Sequence, residues 1–355
     1  MTEFLSGPSP LAPPADPPAE APAETPAQIT VWLSRRGQAQ CLHLDPARIS
    51  DVLEEEEAEG GGALLWVDVR DPSPAELEML HEEFGFHRLA LEDAAKQKQR
   101  PKVDEYPGYF FVVMYAPLPG DADKELETAE IDMFVGKNYV VTLHDGAIPA
   151  LDEAKRRWPR TEAALREQVG FLLHVIADSV IDAYFPVVDT IEDKLDDLEL
   201  AMFTAKTDFN PEQLLAVKRT LYTLRKAIYP LREVFNLFLR RDQMIFSPET
   251  YPYFQDAYDH VLRLLDIIDI ERDMATGVLE AQLSVVSNRL NETMRRLTVI
   301  TICVAIMGAV FGAWGMNFSA VPLHDMGLLG FAIVTGGTLV LVALVLVIAK
   351  HYNAW

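Results

Sequence analysis

Two apolar segments near the C-terminal end dominate the pattern of hydrophobic and polar positions. They cover residues 297–314 and 327–349, and the only formal charge between Arg296 and Lys350 is that of Asp325. About 20 apolar residues span a bilayer as a helix, so each segment has the length of a membrane span. The pattern therefore predicts a membrane domain of two helices, over residues 297–349, joined by a short loop.

A helical period precedes the first apolar segment. Leucine, isoleucine and valine recur at steps of three and four from Leu262 to Leu290, and no proline occurs from Tyr253 to Ala320. This spacing predicts one continuous helix that begins near Tyr253 and ends at Trp314. At 1.5 Å per residue the helix would be roughly 90 Å long, which exceeds the size of one small domain. We therefore expect a stalk that several subunits share around an axis.

Basic residues flank the apolar segments on one side only. Arg295 and Arg296 precede the first segment and Lys350 follows the second, whereas the loop over residues 315–326 has no lysine or arginine. By the positive-inside rule both termini are predicted to be cytoplasmic, including the short C-terminal tail over residues 350–355.

The N-terminal half follows other patterns. Residues 1–28 are rich in proline and alanine and carry only acidic charges, which predicts a disordered tail. Short alternating or apolar runs, and a helix start at Ser73-Pro74-Ala75-Glu76, then predict an α+β or α/β domain over residues 29–155.

Residues 156–296 are predicted to be helical. An acidic stretch over residues 182–199 is followed by a basic stretch over residues 218–241. Opposite charges favour an antiparallel helix hairpin placed before the stalk. The alternative is that the acidic helix holds cations.

The overall charge narrows the choice of partners. The chain has 31 lysines and arginines against 54 aspartates and glutamates, a net charge of −23. This balance argues against nucleic acid as a partner, because phosphates require basic side chains. It fits a solvated acidic surface or a divalent-cation partner. The two cysteines, Cys41 and Cys303, form no metal-binding or disulfide pattern, as expected of a reducing cytosolic compartment.

A pore built from this chain needs several copies, because two helices cannot enclose one. The first membrane helix has a face of small or weakly polar residues, as expected of the helix that lines the axis. The face comprises Asn291, Met294, Thr298, Thr301, Ala305, Gly308 and Gly312. Small residues also serve helix packing, and that alternative stays open for Gly308 and Gly312.

The tripeptide Gly315-Met316-Asn317 ends the first membrane helix. Mg²⁺ gives up water reluctantly, so a selective site should offer oxygens to a hydrated ion. A ring of Asn317 amide oxygens would do so, with Gly315 turning the backbone and Met316 packing. The tripeptide alone would also suit an ordinary helix end.

The chain resembles the CorA family of divalent-cation transporters over residues 29–355. The matching stretches are Trp314-Gly315-Met316-Asn317-Phe318 followed by Pro322, and residues 87–93, 99–103, 136–139 and 287–294. The resemblance implies a funnel-shaped homopentamer in the cell inner (plasma) membrane. Each subunit would have an αβα cytoplasmic domain, a stalk helix and two transmembrane helices.

The resemblance also implies a function and site residues. The function is passive flow of Mg²⁺, and of Co²⁺, driven by the membrane potential, and not an enzymatic reaction. Met294 and Leu297 would narrow the pore. Asp93 and Asp256 would bind regulatory Mg²⁺ between subunits and hold the closed state.

The outer loop departs from the family pattern. Asp325 would replace the usual loop acid that attracts cations, and His324 would favour softer ions such as Zn²⁺ or Co²⁺. A lone loop histidine is otherwise simply solvated. Two alternatives therefore stay open: a Zn²⁺ transporter of the same family, and a membrane-tethered adaptor that transports nothing.

Overall fold

The structure is a computed structural model of the chain. It describes residues 28–35, 38–42, 49, 51, 63–120, 126–162, 166, 168–203, 209–240, 246–316, 323 and 327–352. Apart from Gln28, the tail predicted over residues 1–28 lies outside these residues. The chain divides into two compact units, the first comprising Met1–Val188 with Tyr222–Ile267 and the second Asp189–Leu221 with Ile268–Trp355.

The described strands of the first unit form one mixed sheet. They are β1 (Gln28–Arg35), β2 (Gln38–Leu42), β3 (Leu64–Arg70), β4 (Lys102–Tyr106), β5 (Tyr109–Pro117), β6 (Thr128–Val135) and β7 (Tyr139–His144). Their order in the seven-stranded sheet is β2-β1-β3-β7-β6-β5-β4. β3 and β7 run parallel, and the other neighbours run antiparallel.

The central strands are buried along nearly their whole length, because helices cover both faces of the sheet. β3, β5, β6 and β7 are formed by short apolar runs of the kind from which the α/β domain was predicted. β4 was missed. Its sequence, KVDEY, is mostly polar, as is common for a strand at the edge of a sheet.

One face of the sheet is covered by α1 (Pro74–Phe84) and α2 (Arg88–Lys96). Ser73 caps α1 as predicted, since its side chain accepts from the Ala75 amide at 3.2 Å and its own amide donates to Glu76 at 3.0 Å. The core beneath these helices contains Val67, Val69, Leu80, Leu91, Phe111, Phe134 and Val141.

The other face is covered by α3 (Pro149–Arg157) and α4 (Val169–Asp182), with a short 3₁₀ turn at Trp158–Arg160. The ring of Trp66 lies 5.9 Å from the ring of Trp158, and the Tyr184 hydroxyl donates to the Tyr115 carbonyl at 2.8 Å. The sheet therefore lies between two helical layers, which confirms the αβα fold.

Longer helices follow. They are α5 (Phe185–Phe203), α6 (Pro211–Ile228), α7 (Leu231–Phe238), α8 (Tyr251–Trp314) and α9 (Leu328–His351), with a 3₁₀ turn at Pro248–Thr250 before α8. α8 is a single helix of 64 residues, as predicted. Breaks fall beside Pro186 and Pro230, where proline cannot continue a helix. The pairing of acidic with basic helix faces stays a prediction.

In the second unit, α5, α6 and α8 each bury an apolar stripe at helical spacing. The stripes include Ile191, Leu195 and Leu198 of α5, Leu214, Val217 and Leu221 of α6, and Ile268, Ala275 and Val278 of α8. The Lys218 ammonium lies 3.4 Å from the Thr276 hydroxyl, which ties α6 to α8. After this contact the buried stripe of α8 ends, and residues 286–298 are all exposed in the single chain.

Candidate functional site

α8 and α9 pack side by side in opposite directions. Val299 and Cys303 of α8 form a small core with Ala349 and Val345 of α9. At the other end of the pair, the two helices contact each other through aromatic rings. There the ring centroid of Trp314 lies 6.0 Å from that of Phe331. α9 therefore covers one side of α8 along the apolar segment.

The residues predicted to line the pore are exposed on α8, and two of them, Asn291 and Met294, border a groove against Val345 and Ile348 of α9. These residues are Asn291, Met294, Leu297, Thr301, Ala305 and Gly308, and all six are exposed in the single chain. Met294 and Leu297 are each 55% exposed. At about 100° of rotation per residue, the middle of this stripe lies roughly opposite Val299 and Cys303. Nothing in the structure tests whether the stripe lines a channel, so that role stays a prediction.

The predicted selectivity tripeptide begins where α8 ends. The Gly315 amide donates to the Phe311 carbonyl at 2.9 Å, and the Met316 amide donates to Ala313 at 3.4 Å. A Cβ at residue 315 would lie 3.1 Å from the Phe311 oxygen, which is a tight contact. Met316 is 52% exposed, so its packing partner stays a prediction. Asn317, His324 and Asp325 lie outside the described residues.

Leu323, in the segment between α8 and α9, lies against the first turn of α9. A Cβ at Gly330 would lie 2.0 Å from the Leu323 carbonyl oxygen, so only glycine allows this approach. Leu323 and Gly327 both have positive φ angles, of 67° and 56°. The backbone carbonyl of Leu323 thus makes the closest approach to α9 at Gly330.

Asp93, a predicted regulatory ligand, lies in the last turn of α2. Its carboxylate is 2.8 Å from the Lys102 ammonium of β4, which is also 2.7 Å from Asp104. Partial burial alone would lower the pKa of Lys102, but the hydrogen bonds with Asp104 and Asp93 outweigh it and raise that pKa. In the single chain, a lysine therefore neutralises Asp93.

A second cluster of possible metal ligands was not predicted. Asp178 and Asp182, one turn apart on α4, and His260 of α8 offer ligand atoms that lie within 4.8 Å of one another. His260 Nδ1 is 3.7 Å from Asp178 Oδ1 and 3.8 Å from Asp182 Oδ1. This nitrogen is buried and has no hydrogen-bond partner among the described residues. Carboxylate oxygens and an imidazole nitrogen at these spacings fit a divalent cation.

Arg157 holds the remaining carboxylate oxygens of this cluster. Its guanidinium lies 2.6 Å from Asp178 Oδ2 and 3.4 Å from Asp182 Oδ2. Burial, and then the Asp178 charge, raise the pKa of the Asp182 carboxyl. Asp256, the other predicted regulatory ligand, is exposed and lies one helical turn before His260. The predicted pairing of Asp93 with Asp256 across subunits stays a prediction.

In the sequence, the spacing of Asp178 and Asp182 was the one feature that could have indicated this cluster. Asp178 and Asp182 are four residues apart, so they share a face of an otherwise apolar helix. Their partners, Arg157 and His260, lie far from them in the chain. Only the packing of α3, α4 and α8 brings the four side chains together.

Comparison with known proteins gives concordant results. Residues 61–351 match the family described as "CorA-like Mg2+ transporter protein". The chain is 34% identical over 264 residues to the putative metal ion transporter YfjQ of Bacillus subtilis, covering 74% of this chain and 81% of that protein. It is 32% identical over 247 residues to the cobalt/magnesium transport protein CorA of Thermotoga maritima, covering 69% of this chain and 70% of the relative.

Solved structures share the fold. The CorA magnesium transporter of Methanocaldococcus jannaschii matches with a TM-score of 0.75 at 22% identity, covering 91% of this chain and 97% of that one. The full-length CmaX protein matches with a TM-score of 0.70 at 18% identity, covering 89% and 97%. From the family match and the two relatives above 30% identity, this chain belongs to the CorA-like Mg²⁺ transporters, a family of membrane transporters for divalent cations and not of enzymes.

Proposed function

We propose that this chain carries divalent cations, Mg²⁺ foremost and Co²⁺ as well, through a pore lined by α8 of several copies. The observation that carries the proposal is the exposed stripe on α8, whose middle lies roughly opposite the contacts with α9. Polar residues within membrane helices usually face a bundle interior or a water-filled cavity rather than lipid. A water-filled axis between copies meets that requirement for Thr301.

The stretch of α8 that leads into the apolar segment supports an assembly of copies. Leu283, Leu290, Met294 and Leu297 follow one another at steps of seven, four and three, and each is at least 55% exposed. Apolar residues repeated at such spacing form the contact seam of helices that pack around a common axis. The same helix of neighbouring copies would cover them, and a homopentamer is the assembly that the sequence resemblance implies.

Selection of the ion would occur at Gly315-Met316-Asn317. A ring of Asn317 amide oxygens offers hydrogen-bond acceptors to a hydrated ion without the full charge of carboxylates, which would trap it. Mg²⁺ keeps several waters when it binds, so such a ring suits it. Asp325 would add negative charge in the outer loop, ahead of this ring.

Cytosolic Mg²⁺ would regulate the pore through the acidic sites of the first unit. Asp93 and Asp256 would hold an ion between subunits, and Asp178, Asp182 and His260 would hold another within one chain. An ion that binds the closed state more tightly than the open state favours closure. With Arg295, Arg296 and Lys350 on the cytosolic side, both termini would face the cytosol at the inner (plasma) membrane.

Asn317→Ala tests the proposal in proteoliposomes loaded with a Mg²⁺-sensitive dye. We expect Mg²⁺ influx under an inside-negative potential to fall at least about tenfold, since one lost ion contact of 1.4 kcal/mol has that effect. Asn210→Ala, on a cytosolic helix cap, should retain influx. Unchanged influx in Asn317→Ala would favour the membrane-tethered adaptor instead.

The preferred ion needs a separate measurement. Influx of Mg²⁺, Co²⁺, Ni²⁺ and Zn²⁺ should be compared at one membrane potential, with and without a proton gradient. We expect Mg²⁺ and Co²⁺ to pass. Faster Zn²⁺ flux that His324→Ala abolishes would indicate the zinc transporter of the same family.

A further inference from the structure

An ammonium group lies where the regulatory proposal requires a metal ion. Lys102 contacts Asp93 at 2.8 Å and Asp104 at 2.7 Å, and its side chain is only 21% exposed. The same ammonium lies 5.4 Å from the centre of the Phe111 ring, which adds a cation–π contact. Two carboxylates and an aromatic face thus hold a single cation that belongs to the chain itself.

The sheet register explains why these groups meet. Lys102 stands opposite Val113, and Asp104 stands opposite Phe111, in the antiparallel pair of β4 and β5. Residues two apart on a strand point to the same face, so Lys102 and Asp104 share the face that α2 covers. Asp93 reaches them from the last turn of α2. The arrangement comes from the packing of helix on strand and does not depend on a chance surface rotamer.

Lys102 and a Mg²⁺ ion would compete at Asp93 through their charges. The ammonium contacts Asp93 Oδ2, and a Mg²⁺ ion bound to the same carboxylate would lie a few ångströms from the ammonium and be repelled by it. Asp104 is 43% exposed and already contacts the same ammonium, so it can retain Lys102 when Asp93 turns away.

We propose that Lys102 is a tethered competitor of Mg²⁺ at Asp93, and that it sets the cytosolic Mg²⁺ concentration at which this carboxylate becomes occupied. The inference rests on the proposed function, in which Asp93 binds regulatory Mg²⁺. Lys102 raises the Mg²⁺ concentration needed to occupy the site, and Asp104 lowers that requirement by giving the displaced ammonium another partner.

A purely structural role makes the opposite prediction. If Lys102 only ties β4 to α2, its removal loosens the end of α2 and weakens Mg²⁺ binding. If Lys102 competes with Mg²⁺, its removal leaves Asp93 and Asp104 without a counter-ion and strengthens Mg²⁺ binding. The direction of the change therefore separates the two roles.

The test uses full-length protein in detergent and measures the Mg²⁺ concentration that gives half-maximal protection from limited proteolysis. Lys102→Met should lower this concentration about two- to fivefold, the range expected for losing a competing charge near the surface. Asp104→Asn should raise it about two- to threefold, because the ammonium then has Asp93 alone. Lys96→Met is the matched control, since it removes a lysine that pairs with Glu92 within α2. It should change the half-maximal Mg²⁺ concentration less than twofold.

Two further variants separate failure of this inference from failure of the proposed function. If Asp93→Asn leaves protection by Mg²⁺ unchanged, Asp93 is not a regulatory ligand and the proposed function loses that element. If Asp93→Asn weakens protection while Lys102→Met leaves it unchanged or weaker, Lys102 is not a competitor. Asp104→Asn retains the lysine and tests the same competition if Lys102→Met does not fold, and a lower half-maximal concentration in that variant overturns the inference.

Discussion

Two parts of this chain are apolar enough to cross a membrane and yet lie in opposite surroundings. Among the described residues, the helical segment Val169–Met202 meets the length and composition of a span, as do the α8 segment and α9. Its most apolar stretch is 72% buried within the chain, whereas those of the α8 segment and α9 are 11% and 6% buried. Apolar composition therefore indicates that a segment is kept away from water. Whether protein or lipid surrounds it depends on the rest of the fold.

Polar side chains mark the difference between the two parts. α4 carries His174, Asp178 and Ser179 inside its apolar run, and each is buried. Arg157 binds both Asp178 and Ser179, at 2.6 Å and 3.1 Å. In the membrane segments the hydroxyl of Thr301 instead donates to the Leu297 carbonyl of its own helix at 2.8 Å. A core helix shares its polar groups with neighbouring elements, while a membrane helix satisfies them itself.

The largest effects are expected from a lysine introduced into the buried helix α4 or into α8. Leu172 of α4 is fully buried, so Leu172→Lys should cost more than about 4 kcal/mol and prevent folding of the first unit. Leu290 of α8 is 65% exposed, so Leu290→Lys should leave the chain folded and disrupt its association instead. Circular dichroism measures the first outcome, and light scattering in detergent measures the second. A folded Leu172→Lys protein would contradict the core assignment of α4.

A smaller effect is expected where a buried charge already has partners. Asp68 of β3 lies 2.7 Å from the Lys155 ammonium and 3.3 Å from His144 Nε2. Asp68→Ala should lower the free energy of unfolding by about 3–5 kcal/mol in urea titrations, because it leaves the mostly buried Lys155 with only its longer, 3.5 Å contact to the exposed Asp152. Glu153→Ala, which breaks an exposed pair with Arg156, should cost at most about 1 kcal/mol.

The Asp68 site also predicts a dependence on pH. Burial alone would raise the pKa of Asp68, but the hydrogen bond with His144 and the charge of Lys155 lower it below the ordinary value of 3.8. The ionised form thus stabilises the fold above pH 3.8, and this stabilisation is lost as pH falls through the folded-state pKa. Asp68→Ala should therefore lose less stability on acidification than the parent chain does. An identical acid response in both proteins would contradict the ion pair.

The last effect concerns a buried acid whose pKa shifts the other way. Burial, and then the Glu130 charge, raise the pKa of Asp132 to about 8. Its neutral form stabilises the fold fully below the unfolded pKa, and this contribution is lost as pH rises towards 8. The slope is at most about 1.4 kcal/mol per pH unit. Asp132→Asn should flatten the decline in unfolding free energy between pH 5 and 8, a result that parallel urea titrations can check.

The sequence pattern predicted those elements whose structure depends on nearby residues. The 64-residue helix α8, the cap at Ser73 and the strand β7 all follow from periodicity, turn residues or apolar runs. β4 was not predicted, because its polar residues become a strand only through pairing with β5. The family resemblance identified Asp93 and Asp256, yet it did not indicate the ion pair between Asp93 and Lys102.

The candidate metal sites show why the remaining features lay beyond sequence reasoning. His260 approaches Asp178 although 82 positions separate them in the numbering, and no local period connects the two. Lys102 approaches Asp93 because the β4 register points it beneath α2, and that register depends on the whole sheet. Asn317, His324 and Asp325 stay predictions that rest on the sequence and the family resemblance.

Gly330 is expected to tolerate almost no substitution. Even a methyl group there would lie 2.0 Å from the Leu323 carbonyl, so alanine is excluded as firmly as larger residues. In a library covering every substitution from Gly312 to Val340, Gly330 should therefore be depleted like a catalytic position, although it would touch no ion. The region between the two membrane helices would then owe its shape partly to a residue that contributes no side chain at all.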